Sequence, residues 1–208
     1  MDQFAPWAEI VPAAPSHMTV DDLLRWPDAD GYRYELVEGV LVRVPGSGVA
    51  AAEATVAISV GLHAFVRPRR LGVVTSAAGI FTFPNAETAL LPNVGYYVAA
   101  RRALIVDRTQ PMPFAPDLAV EVVSAAQGRD DLAAKARTYL RGGTRLVWVV
   151  WPRSAHIDVW RAASARAGGP DTLLAPAATL HLGDALDGED VVPGFMYPVT
   201  DVFADPLA

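Results

Sequence analysis

The tightest constraint on how this chain folds is an apolar run with one acid inside it. Leu118, Ala119, Val120, Glu121, Val122 and Val123 follow Asp117 without a turn former, and near-continuous apolar runs of this kind belong to strands lying deep in a sheet. Residues 130–141 then show helical character. Leu132, Ala136, Tyr139 and Leu140 fall on an apolar side, and Gly142-Gly143 ends the segment as a helix C-terminus should. Residues 146–151, Leu-Val-Trp-Val-Val-Trp, are the most hydrophobic strand candidate in the sequence. Strand, helix and strand in this order imply a crossover unit, and therefore a sheet with helical cover.

The front half reads differently. Thr19 precedes Val20, Asp21, Asp22, Leu23 and Leu24, so a hydroxyl cap and two acids at the positive dipole end start a short helix that Pro27 stops. Residues 32–44 alternate as two strands joined at Glu38-Gly39, a hairpin connection. After a loop at 45–48, the alanine-rich stretch to about Phe65 has strong helix propensity, and Arg67, Pro68, Arg69 and Arg70 close it. Strands are expected at 72–75, 79–83 and 94–98 as a second block of sheet, and at 157–160, with a Gly/Pro loop at 168–170. The fold class expected is α/β of the mixed α+β kind: a central mixed β-sheet with flanking helices and an N-terminal hairpin. Residues 17–208 are read as one domain. Residues 1–16 are read as an arm whose Phe4, Trp7, Ile10 and Val11 dock on a neighbouring subunit, giving a homodimer or a higher homo-oligomer.

Composition narrows the function. Apolar residues make up 52% and charged residues 19%, enough to build a large core and to exclude disorder for most of the chain. The formal charge of −6 gives no global positive field, so any phosphate contact must be local, with Arg67, Arg69, Arg70, Arg101 and Arg102 as candidates. The absence of cysteine excludes disulfides, thiolate metal sites and a cysteine nucleophile. His17, His63, His156 and His181 make no spaced ligand pair. No P-loop, dinucleotide fingerprint, HExxH helix or GxSxG elbow occurs. Residues 49–66 are interrupted by Glu53, Thr55, Ser59 and His63 and read as a buried helix rather than a membrane span. Met1 to Ser16 carries two acids and no lysine or arginine, the opposite of a secretory leader, so a cytoplasmic location is expected.

Glu121 is then the residue to explain. A carboxylate inside a sheet needs a cation or hydrogen-bond donors, because unpaired burial costs several kcal/mol. The following helix supplies Lys135, the only lysine among 17 basic residues. Two readings stay open on these residues alone: a structural ion pair, or a compact cation beside a reacting phosphate.

Five separated motifs resemble a known family. They are Met18-Thr-Val-Asp-Asp-Leu-Leu, Arg33-Tyr34-Glu35-Leu36-Val37-Glu38-Gly39, Leu91-Pro92-Asn93-Val94, the stretch from Ala115 to Ser124, and Asp131-Leu132 through Lys135 to Tyr139-Leu140. Their order and gaps are similar to those of a bacterial family of restriction-endonuclease-like proteins within the PD-(D/E)XK nuclease superfamily, from roughly Thr19 to Trp160. The resemblance implies a restriction endonuclease-like core and a Mg2+ (or Mn2+) site. By matching positions Glu121 is the strand glutamate and a metal ligand, and Asn93 occupies the place of the other metal ligand. Lys135 is the assisting lysine, displaced from the strand position held here by Val123, and Glu35 is an additional acid at the site.

The sequence departs from that pattern at the metal. The family motif reads Pro-Asp-Val, whereas this chain has Pro92-Asn93-Val94; Ala51, Ala52 and Glu53 stand where a histidine is common, and Ser124-Ala125 replaces Ser-Pro. An amide oxygen is neutral, so an Asn in place of an Asp halves the anionic charge offered to a hard cation. The expectation is a Mg-dependent endonuclease-like protein, acting on phosphodiester bonds in DNA, whose activity is weakened or lost unless Glu35, Glu53 or Glu87 compensates. The alternative is a catalytically lapsed nuclease fold serving as a nucleic-acid or protein binding module.

Overall fold

Strand alternation and helix capping account for most of the architecture. The computed structural model describes residues 9–27, 32–44, 46–76, 79–124, 127–162, 175–205 and 207. The first elements are β1 (Glu9–Ile10), α1 (Val20–Arg25), β2 (Arg33–Val37), β3 (Val40–Val44) and α2 (Val49–Arg69). They are followed by β4 (Gly72–Ser76), β5 (Phe81–Thr82), β6 (Ala89–Leu90), β7 (Val94–Val98) and β8 (Leu118–Val122). The remainder are α3 (Arg129–Arg141), β9 (Leu146–Trp151), β10 (His156–Arg161), β11 (Ala178–Leu180), β12 (Ala185–Asp187), β13 (Met196–Pro198) and α4 (Val199–Val202).

Two sheets carry the fold. The larger runs β11-β10-β9-β8-β7-β4 and is antiparallel except at β8 and β9, which are parallel and joined by α3. It is the mixed sheet and crossover the sequence implies. The smaller runs β1-β3-β2-β6-β5 and is antiparallel. Its β2–β3 hairpin turns at Glu38 (φ 47°) and Gly39 (φ 81°). Both central residues are left-handed, as a tight hairpin matched to strand twist demands. Thr19 caps α1 in a reciprocal box with Asp22.

The two faces of the large sheet are filled by different layers. Leu118, Val120 and Val122 of β8 and Leu146, Trp148 and Val150 of β9 pack against Ala54, Ile58, Leu62 and Val66 of α2 and the C-terminal Val192, Phe195 and Val199. The alternate residues Ala119, Val147 and Val149 meet Leu132, Ala136 and Tyr139 of α3, together with Val37, Val42 and Leu90 of the small sheet. Glu121 shares the parity of Ala119 and therefore faces α3. Glu35 shares the parity of Val37 and faces the same space from the other sheet.

Several local expectations change. Residues 79–83 yield only Phe81–Thr82, and these pair with β6 in the small sheet instead of joining β4 and β7; short apolar segments give no signal of which sheet will take them. Helix α2 continues through Pro68 to Arg69 and ends at a left-handed Arg70. A proline this late forfeits only one backbone bond before the helix ends. Glu9–Ile10 pairs with β3 and Val11 is buried beside Met18, Leu23 and Leu41, so Val11 is used within its own chain and is not free to dock elsewhere. Phe4, Trp7 and the loop at 168–170 lie outside the described residues. Helix α2 is long and apolar enough to cross a membrane by length and composition, yet its inner stripe is packed on the sheet.

Candidate active site

Two sheets and one helix converge on a small ionised cluster. Helix α3 puts Lys135 and Tyr139 one turn apart on its sheet-facing side, and both are buried. The Lys135 ammonium stands 3.0 Å from Glu35 Oε1 and 3.1 Å from Glu121 Oε1. The Tyr139 hydroxyl donates to Glu121 Oε1 at 2.7 Å, and the Leu91 N–H donates to Glu35 Oε1 at 2.8 Å. Glu35 is 0%, Lys135 1% and Glu121 4% exposed, so this is a sealed carboxylate–ammonium–carboxylate bridge rather than a surface salt bridge.

The electrostatics follow from burial and spacing. Burial, reinforced by the negative charge of Glu35, raises the Glu121 carboxyl above its ordinary value even though Lys135 and Tyr139 pull it down. Burial pulls the Lys135 ammonium down, but the two carboxylates outweigh it and hold it above its usual value. Burial and the adjacent acids push the Tyr139 phenol well up, keeping it a proton donor.

Asn93 lies beside this cluster with its oxygen engaged. Val94 pairs with Val120, and the same register carried one residue further sets Asn93 opposite Glu121 on the α3-facing side. Its Oδ1 accepts the backbone N–H of Val122 at 2.9 Å. That bond uses one of the two lone pairs of the amide oxygen, and the oxygen carries no net charge to offer a cation.

The donor set does not fit a divalent cation as it stands. Among the described residues no group of three or more His, Asp or Glu side chains gathers closely enough to hold one. The Oε1 atoms of both carboxylates are already shared with one ammonium, and Asn93 offers only a neutral oxygen that already accepts a backbone amide. An open cleft of about 290 Å3 lies nearby, at the C-terminal ends of β8 and β9. It is bounded by Val49, Ala51, Val123, Ser124, Trp151 and Arg153, not by the three charged residues of the cluster.

Of the four residues singled out in the sequence, Glu35, Glu121 and Lys135 therefore touch, and Asn93 is bonded to the residue after Glu121. The candidates for compensation stand elsewhere. Glu53 is exposed on α2, which covers the opposite face of the sheet, and Glu87 is exposed in the turn before β6. Arg101 is engaged by Asp117 at 3.2 Å and by the Ala115 carbonyl, and Arg69 lies over the Phe65 ring; structural roles account for both. His156 and His181, far apart in the sequence, bring their rings to 5.9 Å through the β10–β11 pairing. Tyr139 is the residue that the sequence reading placed only in the core. Its spacing of four from Lys135 on an amphipathic helix was the available signal.

Comparison with known proteins identifies the family and the fold. The Uma2 family, described as "Putative restriction endonuclease", matches residues 20–200. The chain belongs to that family. Among solved structures it resembles a "putative nuclease" from Anabaena variabilis with a TM-score of 0.70 at 16% identity, covering 89% of this chain and 97% of the other. That likeness establishes a shared nuclease-type fold. No curated protein matches the sequence.

Proposed function

We propose that this Uma2-family chain keeps a nuclease fold while its metal-dependent hydrolysis of phosphodiester bonds in DNA is weakened or lost. The observation that carries this reading is the Lys135 ammonium bridging Glu35 and Glu121 while the Asn93 oxygen accepts a backbone amide. A working centre of this class would use Mg2+ or Mn2+ to polarise a phosphoryl oxygen and ready a water. Here a single ammonium is shared by both anionic groups, and the side chain facing Glu121 across the strand pair carries no charge. The local arginines that remain exposed, such as Arg70 and Arg102, would contribute phosphate contacts without chemistry.

The test is a nuclease assay on duplex and single-stranded DNA with manganese, comparing the native chain, Asn93→Asp, Glu121→Ala and Asn93→Asp/Glu121→Ala. The expected result is no cleavage by the native chain, cleavage by Asn93→Asp, and its loss in the double variant. Robust native cleavage that Glu121→Ala abolishes overturns the proposal. An Asn93→Asp variant that folds and gains nothing removes position 93 as the lesion.

A further inference from the structure

Helix α2 carries two apolar stripes, and only one of them is covered. The inner stripe, Ala51, Ala54, Ile58, Leu62 and Val66, is buried on the large sheet. The outer one consists of Val49, Glu53, Val56, Val60, Ala64 and Arg67, all exposed; Val49 is 76%, Val56 60% and Val60 61% accessible. The steps between these six residues are four, three, four, four and three, the pattern of a helix–helix seam. At 3.6 residues per turn they lie within an arc of about 80°, and they extend over about 27 Å of axis.

We propose that this stripe is the contact between two copies of the chain, with α2 packing antiparallel against its counterpart about a two-fold axis at Val60. Charge complementarity selects this occupant. The stripe has an acid near its N-terminal end, a base near its C-terminal end and apolar residues between them. A two-fold at Val60 sets Val56 opposite the partner's Ala64 and Glu53 opposite the partner's Arg67. Each ion pair is formed twice, as an isologous contact requires. Within the chain neither Glu53 nor Arg67 makes an ion pair among the described residues. A groove of about 350 Å3 runs beside the stripe between α2 and β4, lined by Val60, His63, Ala64, Val74 and Thr75 among others, and gives room for side chains of the second copy. A lipid surface would have no use for Glu53 in the seam, and the net charge of −6 opposes anionic membranes. This proposal does not depend on the reading of the ionised cluster.

Sedimentation equilibrium of the full chain at micromolar concentration tests it, with circular dichroism as the folding control. The native chain is expected at twice the monomer mass, and Val60→Glu at the monomer mass. Glu53→Arg and Arg67→Glu each set like charges opposite one another at two symmetry-related places and should weaken association about tenfold or more. The double reversal Glu53→Arg/Arg67→Glu should restore it. Three results would each overturn the proposal: a native monomer, including one that binds phosphatidylglycerol vesicles; a dimer indifferent to Val60→Glu; or a double reversal no tighter than the single variants.

Discussion

Alternate residues of the same strands face opposite sides of the large sheet, and the two sides are built on different principles. Toward α2 the side chains are apolar and uncharged, from Val120 and Trp148 to Ile58 and Phe195, with the Tyr96 hydroxyl bonded to the Leu71 carbonyl. Toward α3 an equally dry layer contains two carboxylates, an ammonium and a phenol that satisfy one another. The apolar side holds together chiefly by shape and volume. The α3 side is a network in which each member is tolerable only because the others are present. Stability alone does not call for such a network, since packed hydrophobic residues of similar volume often serve as well or better. On the function proposed above, the network is what is left of a site.

The largest difference between the sides should appear on removing the cation. Lys135→Met leaves two buried acids without a counter-charge and should cost about 3–5 kcal/mol in urea denaturation at neutral pH. Ile58→Ala on the other side should cost about 2–5 kcal/mol as a cavity. The sharper distinction is in pH. The Glu121 carboxyl is raised in the folded chain, so the native state holds its proton more tightly than the unfolded state does. The stability tied to it therefore declines as pH rises from the ordinary value of 4.5 through the folded value. Lys135 is also raised, so its contribution is complete below the ordinary value of 10.5 and is lost only as pH climbs through the higher folded value. Denaturation followed as a function of pH should accordingly show a decline above pH 4.5 that Glu121→Gln flattens, whereas Ile58→Ala shifts the whole curve without changing its slope.

Smaller effects should follow on the same axis. Tyr139→Phe removes one buried donor to Glu121 and should cost about 1–2 kcal/mol, with the Glu121 carboxyl moving further up in a 13C titration. Val60→Glu, on the outer surface of α2, should change the intrinsic stability of the folded unit by no more than about 0.5 kcal/mol. A large effect there would contradict the assignment of that stripe to the outside of the fold.

The sequence was most informative where one physical rule acted without competition. The β8–α3–β9 crossover was visible because apolar runs around a capped amphipathic helix have few alternatives. The lone lysine and the lone acid in an apolar run pointed to each other because burial demands a partner. It was silent where tertiary choice decides. Nothing in Phe81–Thr82 says which sheet will take it, and nothing in Val11 distinguishes packing within the chain from packing on a neighbour. The role of Tyr139 was masked because an aromatic ring on an apolar helix face is fully explained by packing until its hydroxyl is seen 2.7 Å from Glu121. Asn93 was recognised through family resemblance, but its bond to the Val122 amide depends on strand register that composition does not encode.

The central claim is that an internal ammonium, and not a bound metal, is the cation these two carboxylates share in the native chain. Calorimetric titration of manganese into the native protein and into Asn93→Asp addresses it directly. No saturable binding to the native chain, together with one site gained by Asn93→Asp, is the result expected. Stoichiometric binding to the native chain that Glu121→Gln eliminates would contradict it.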